Sequence, residues 1–380
     1  MSADSGAPSV AVIGVHGHGR HHLNAIRAAQ AEGRMRLAAV CDVRAPEDAE
    51  VPTYSDHRAM LAETAPDVVV IVTPPATHLP IASDALRSGA DVLLEKPPLL
   101  SLDEHDQLAG VVAETGRVCQ IGFQSLASPA LAELQEAIET GVLGEIIGVA
   151  AMGTWVRTDA YYARAPWAGH RDLRGVPTGD GALTNPFAHA VMNVLALAGA
   201  PPERAFLELY RARHTIEVDD TSYLELDCGG IRCAVAVTLC APEHTPPRIV
   251  VHGSSGQAEL DYTTDMLALP GRQPRQVQGR EPLLDNLIAH RADPAVPLVA
   301  PLSATRGFTA VLAAVAEAPV HPIPHEHTTV LGAGEERRVI VHGVERAVAI
   351  AGDRLTGFAA QRVDWATARP WRVLDVATNT

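Results

Sequence analysis

Lysine is almost missing from these 380 residues: among thirty basic side chains Lys96 is the single lysine, and the rest are arginine. A coding bias toward arginine accounts for the depletion but not for the survivor. A guanidinium keeps its charge at any physiological pH, whereas an ammonium is a compact donor whose pKa moves with its surroundings. Positive charge as a whole is short, and a net charge of −15 with a pI near 5.5 argues against nucleic acid or an anionic membrane as the main partner, because phosphates repel such a surface. Cysteine is scarce and odd in number. Five are present, Cys228, Cys233 and Cys240 fall in strand-like sequence without C-x-x-C spacing, and reduced, buried thiols are the expectation. No stretch offers the ~20 uninterrupted apolar residues of a membrane span, and the opening MSADSGAPSVAVIG has neither a basic leader region nor a long apolar run. A soluble, cytoplasmic chain with a small-molecule ligand is expected.

What is present is 47% apolar residues over a length that suits two domains. SVAVIG at 9–14 is an apolar run ending in glycine; the loop VHGHGRHH follows, then a helical pattern through Leu23 and Ile26 that Gly33 closes, then the strand RLAAVCD at 36–42. DVVVIVTPP at 67–75, a helix near 78–88, DVLLEKP at 91–97, a helix from Leu102 to about Thr115 and VCQIGF at 118–123 continue the alternation. This spacing predicts an α/β fold with a Rossmann-type, doubly wound parallel sheet over 1–123. Near Gln124 the character changes. A helix over 128–140 leads to the long strand IIGVAAMGTWVR, an irregular stretch at 158–181 and another helix; RAFLELYRAR, TSYLELDC, IRCAVAVTLC, RIVVHG and GQAELDY then follow one another with short turns. Consecutive strands predict a C-terminal α+β domain over 124–330 with an open, mainly antiparallel sheet, one face covered by helices at 282–292 and 303–318. Its other face, left open, is the expected interface of a homodimer or homotetramer. Residues 331–380 read as an extension packed on the other domains.

The first turn carries the ligand signal. In G-x-G-x-x-G the first glycine permits the bend, the second lets the backbone approach a pyrophosphate, and the third allows helix and strand to pack. Gly14 and Gly19 hold the first and third positions, His16 holds the second with Gly17 beside it, and His18 follows. Asp42 at the tip of the second strand suits the adenosine ribose hydroxyls and repels a 2′-phosphate, which favours NAD over NADP. Arg44, two residues on, is the group that could reverse this by pairing with that phosphate. His16, His18, His21 and His22 straddle a loop aimed at phosphate, so no metal is expected there.

Four further segments make the pattern specific: TPPATH at 73–78, EKPP at 95–98, ETGVLGEI at 139–146 and GDGALTNPFAH at 179–189. In this order the chain resembles, from residue 9 to about 320, the glucose–fructose oxidoreductase, inositol dehydrogenase and rhizopine catabolism family, Gfo/Idh/MocA. The resemblance implies hydride transfer between nicotinamide C4 and a carbinol carbon of a sugar, polyol or cyclitol. It implies that Thr73, Pro74, Pro75, His78, Glu95, Lys96 and Gln124 join the cofactor site, and that Lys96 touches the nicotinamide ribose and the reacting hydroxyl. It also carries a D-x-x-x-H pair onto Asn185 and His189, with two departures. Asparagine replaces the usual aspartate, and Met192 stands where many members have a second one.

The chemistry agrees with that assignment. Hydride loss from a carbinol requires removal of its hydroxyl proton, for which a histidine titrating near neutrality is suited, while an ammonium stabilises the developing alkoxide. A helix starting at Pro186 and stopped by Gly199 would make Asn185 its N-cap and put Asn185 and His189 on one side. Arg157, Tyr161, Tyr162, Trp167 and His170 are the substrate candidates; cationic and aromatic groups suit a hydroxylated ring, including one with an acidic substituent, and a solvated loop is the plain alternative. A cofactor-binding sensor without catalysis, and a lyase or epimerase using transient redox, are the rival functions.

Overall fold

The computed structural model describes residues 6–44, 50–367 and 370–374, which divide into two compact units, 1–124 with 281–305 and 125–280 with 306–380. In the first unit β1 (Ser9–Ile13), α1 (Gly19–Ala31), β2 (Arg36–Cys41), β3 (Thr53–Tyr54), α2 (His57–Thr64), β4 (Val68–Ile71), α3 (His78–Arg87), β5 (Asp91–Leu94), α4 (Leu102–Thr115) and β6 (Cys119–Ile121) alternate. The six strands are parallel in the order β3-β2-β1-β4-β5-β6. β1, β4 and β5 are buried along their whole length, as a sheet covered on both faces requires. The order reverses between β1 and β4, and the crevice at that switch point is where open α/β sheets bind ligands.

The second unit opens with α5 (Pro129–Glu139), β7 (Ile146–Thr154), a short α6 (Asp159–Ala163), the hairpin of β8 (Asp172–Leu173) and β9 (Val176–Pro177), and α7 (Ala188–Ala198). Seven strands follow: β10 (Pro202–Arg211), β11 (Thr221–Cys228), β12 (Ile231–Thr238), β13 (Arg248–Gly253), β14 (Gly256–Asp261), β15 (Met266–Ala268) and β16 (Arg275–Gln276). After α8 (Leu283–Ala292) come α9 (Arg306–Glu317), β17 (Val320–Pro322), β18 (Thr328–Leu331), β19 (Arg338–Val341), α10 (Val344–Arg354) and β20 (Trp371–Leu374). The main sheet runs β16-β15-β14-β13-β7-β12-β11-β10-β17, with β20 also on β10. It is mixed: β7–β12 and β10–β17 are parallel, the other pairs antiparallel.

Two expectations are corrected. The helix at 282–292 does not cover this sheet. It is α8 of the first unit, where the Arg291 guanidinium donates to Asp91 and Asp67 (2.5 and 2.8 Å) and the Gln120 side chain holds Leu283 O and Ala300 N–H at the edge of β6. Nor is the second face of the large sheet open. Met152 and Gly153 are successive on β7 and point to opposite faces; a Cβ on Gly153 would lie 2.0 Å from the Phe187 ring next to α7, and one on Gly352 of α10 would lie 2.0 Å from Met152 Sδ. One face thus carries α7 and the other α10. Ala150, Met152, Tyr210, Tyr223, Ala234, Ala236 and Val250 form one buried cluster with Val344, Val348, Ala351, Phe358 and Trp365, so the chain's own extension occupies the surface expected to meet a second copy. The unbroken apolar runs GVAAM in β7 and CAVAV in β12, rather than an alternation, were the available signal. All five cysteines are buried and free, and no helix among the described residues is long and apolar enough to cross a membrane.

Candidate functional site

In the first unit the turn after β1 is built from glycines that no other residue replaces cheaply. Gly14 has φ +88° and a Cβ there would lie 2.4 Å from Val72 O; a Cβ on Gly19 would lie 1.9 Å from Gly14 O. Gly17 is also left-handed (φ +56°), and its surroundings are open. His16, in place of the second glycine, turns toward the tip of β2, its Nε2 3.1 Å from Arg44 O and 3.9 Å from Asp42 Oδ1. Asp42 accepts the N–H groups of Val15 (2.9 Å) and Arg44 (3.0 Å), so the residue expected at the ribose also ties β2 to the turn. The Arg44 side chain is exposed.

Beyond β4 and β5 the TPPATH and EKPP segments are stapled by His78, whose buried ring lies between Thr73 O (2.8 Å from Nε2) and the carbonyls of Pro97 and Pro98 (3.0 Å each from Nδ1). His78 therefore shapes the loops that carry Thr73, Pro74, Pro75 and Lys96. Glu95 is buried under the turn and accepts from His22 Nε2 (2.8 Å), with His18 Nε2 at 3.4 Å and the Lys96 N–H at 3.2 Å. Gly122 is a glycine because a Cβ would lie 2.6 Å from that carboxylate. Burial alone would raise the Glu95 pKa, but the hydrogen bonds from His18 and His22 hold it well below the carboxylate range. The His18 pKa is raised, chiefly by its bond to Glu95, against burial and the nearby Lys96 charge. Lys96 is half-buried, and Gln124 is exposed where the unit ends.

In the second unit His189 lies on the first turn of α7. Its Nδ1 is 3.2 Å from Ser125 Oγ, and that hydroxyl donates to Asn193 Oδ1 (2.8 Å) one helical turn on. When the hydroxyl donates to Asn193 Oδ1 it accepts from the imidazole, an arrangement that has the ring proton on Nδ1 and leaves Nε2 as the nitrogen that can take a proton. Neither Ser125 nor Asn193 was singled out from the sequence; the i+4 spacing of Asn193 from His189 was the signal for one, and nothing local points to the other. Asn185 is not the N-cap. The helix starts at Ala188 with Phe187 in the cap position, and the Asn185 amide donates to Asp180 Oδ1 (2.9 Å), while Asp180 Oδ2 accepts the Gly169 N–H (2.7 Å). Gly199 does close α7, with φ +66°. Two further acids anchor this segment: burial pushes the Asp219 carboxyl up to about 6, and it lies where a Cβ on Gly181 would be 2.3 Å away, while Asp220 accepts the N–H groups of Ala212 and Arg213.

Four of the five substrate candidates are drawn into one aromatic and cationic layer. Arg157 stacks on Trp155 and Tyr161 (4.8 and 5.0 Å), Arg164 on Tyr161 and Trp167 (3.6 and 4.6 Å), Tyr161 and Tyr162 meet edge to face, and His244 lies parallel to Trp155. Arg164 is 3.7 Å from Asp180, but among the described residues no carboxylate lies within ion-pair distance of Arg157. Burial raises the Tyr161 hydroxyl to about 12, and burial, then the Arg157 charge, lowers His244. His170 turns instead to Glu217, 3.4 Å away. Trp155, Arg164 and His244 are additions that sequence reasoning missed.

Residues 9–123 match the family described as "Oxidoreductase family, NAD-binding Rossmann fold", and residues 131–259 match the GFO/IDH/MocA C-terminal domain. The chain is 37% identical over 92 residues to scyllo-inositol 2-dehydrogenase (NAD(+)) of Bacillus subtilis, covering 24% of this chain and 27% of that one. It is 36% identical over 132 residues to UDP-N-acetylglucosamine 3-dehydrogenase of Acidithiobacillus ferrooxidans, covering 33% and 40%. These matches thus span well under half of each curated relative. Among solved structures, the WlbA dehydrogenase of Bordetella pertussis, in complex with NADH and UDP-GlcNAcA, shares the fold with a TM-score of 0.68 at 23% identity over 82% of this chain and 95% of that one. An oxidoreductase of Thermotoga maritima does so with 0.69 at 16%, over 82% and 96%. Carrying both of that family's domains in order, the first of them an NAD-binding Rossmann domain, this chain belongs to the Gfo/Idh/MocA oxidoreductases.

Proposed function

We propose that the protein is an NAD-dependent dehydrogenase acting on a secondary hydroxyl of a sugar, polyol or cyclitol, with the dinucleotide held by the first unit and the substrate by the second. The residues fit the cofactor: Gly14 and Gly19 leave a cradle that a Cβ would fill, at the N-terminus of α1, where backbone N–H groups and the helix dipole favour a diphosphate. Asp42 favours the NAD ribose over a 2′-phosphate. Bound NAD supplies the hydride acceptor. His189 takes the hydroxyl proton at Nε2, kept basic by the Nδ1 contact to Ser125, and the Lys96 ammonium stabilises the oxygen as charge develops on it. Arg157, seated on two aromatic rings without a carboxylate of its own, favours a substrate that brings an acidic group.

The observation that carries this reading is the Asn193–Ser125–His189 chain, a neutral relay that sets one tautomer. The test is purified protein with NAD and a panel of neutral and acidic sugars, polyols and cyclitols, followed by absorbance of reduced nicotinamide. Turnover with one class supports the proposal. Cofactor binding together with a tight sugar ligand that is never oxidised would make the protein a sensor.

A further inference from the structure

We propose that His18, His22 and Glu95 form a binding site for one divalent transition-metal ion of the zinc or cobalt type. His18 stands just before α1 in the α-region (φ −66°, ψ −28°), so the helical screw already runs from His18 to His22, and residues four apart share one face. Glu95 comes to the same place from the end of β5. One ligand atom from each of the three lies within 4.8 Å of the others, with the imidazole Nε2 atoms of His22 and His18 at 2.8 and 3.4 Å from Glu95 Oε1. Ligands at about 2.0–2.2 Å from zinc stand roughly 3–3.5 Å from one another, so coordination needs small side-chain rotations and the loss of the Nε2 proton that each imidazole now presents to Glu95, passed to Nδ1 or released to solvent as the metal binds. Two imidazoles and a carboxylate are the donor set of open transition-metal sites, and H-x-x-x-H on a helix is their usual spacing.

The chemistry of each donor suits the role. The Glu95 carboxylate is buried and aims Oε1 at both imidazoles, so it brings an anionic oxygen donor to a place shielded from water. The His18 side chain is 56% exposed, which opens a path for the ion and leaves coordination positions to solvent. Its exposed neighbour His21 lies outside the triad. The positive end of α1 and the Lys96 ammonium oppose a cation here, so binding is expected to be weaker than at a structural zinc site. The inference does not rest on the dehydrogenase reading, because binding is read without substrate.

The experiment titrates Co²⁺, and in parallel Zn²⁺ by equilibrium dialysis, into the tag-free full-length protein at pH 8, with the visible absorption of protein-bound cobalt as the signal. One saturable equivalent is expected, weakened roughly 10- to 100-fold in His18→Ala and Glu95→Gln and unchanged in His21→Ala. Each variant's thermal melt checks its fold; should Glu95→Gln fail to fold, His18→Ala, at an exposed side chain, carries the test. The absence of a single saturable equivalent, a parent-like His18→Ala, or an equal loss in His21→Ala would each overturn the site, the last by showing adventitious binding to a histidine-rich loop.

Discussion

The two units treat their histidines in opposite ways. In the first, His18 and His22 face the buried carboxylate of Glu95, and at His18 this negative partner favours the imidazolium, raising its pKa. In the second, the Nδ1 of His189 meets the Ser125 hydroxyl, which is bonded in turn to the Asn193 amide, so on this side the ring is oriented by neutral groups. A histidine beside a carboxylate is a cation or a ligand in waiting; one beside neutral groups keeps a fixed tautomer and a lone pair for a proton. Asparagine at 185, where the family has an aspartate, bonds Asp180, and the carboxylates of this segment, Asp180, Asp219 and Asp220, hold backbone N–H groups.

The largest effects are expected from removing the two groups proposed to act in catalysis. Lys96→Arg keeps the charge but exchanges a compact ammonium for a broad fork, and His189→Ala removes the base; each should lower turnover by roughly 10²-fold or more with cofactor affinity changed less. Parent-like rates in both variants would sink the mechanism. Ser125→Ala should cost about tenfold in kcat by freeing the tautomer, while Asn193→Asp converts the neutral relay into a charged one and should move the acidic limb of the pH–rate profile upward. A pH profile unmoved by Asn193→Asp would show that the relay does not reach the titrating group.

Asn185→Asp sharpens the contrast from the other side. A carboxylate placed 2.9 Å from Asp180 meets a like charge, so the variant should melt lower at neutral pH and recover in acid, where one of the two is protonated. An unchanged melting temperature at pH 7 would show that Arg164, 3.7 Å from Asp180, offsets the added charge. In the first unit, Asp42→Ala should narrow the preference for NAD over NADP by roughly tenfold, read from the two dissociation constants. Tighter NADP binding by the parent would instead point to Arg44.

The smallest effect concerns the extension. Glu208 on β10 accepts the Ala359 N–H (2.9 Å), and burial pushes its carboxyl up to about 7. A folded pKa above the unfolded value of about 4.3 means that the native state holds the proton more tightly, so stability is greatest below that value and declines as pH rises through the window to about 7. Glu208→Gln should therefore raise the melting temperature at pH 8 and leave it nearly unchanged below pH 4. Equal shifts at both would remove the carboxyl's titration from the account.

Local sequence was enough wherever one segment serves its own geometry. Gly14 and Gly19 at the turn, Gly199 at the end of α7 and the parallel alternation up to residue 123 all follow from short-range period and from backbone shapes that few residues can adopt, whereas Lys96 and His189 were singled out by the family's motifs. Tertiary structure decided what depends on partners far along the chain. His22 meets Glu95 across 73 residues and Ser125 meets His189 across 64, separations at which no periodicity in the sequence names the partner. Asn185 had two places for its amide, the helix end or Asp180, and only the packed loop selected the second. The helices α8 and α10 carry apolar residues that could cover any apolar surface; in the fold α8 is tied to the first unit by the Arg291 ion pairs and α10 packs in the buried cluster of the second, a choice the sequence leaves open because apolar burial is non-directional and says only that a face must be covered, not by what.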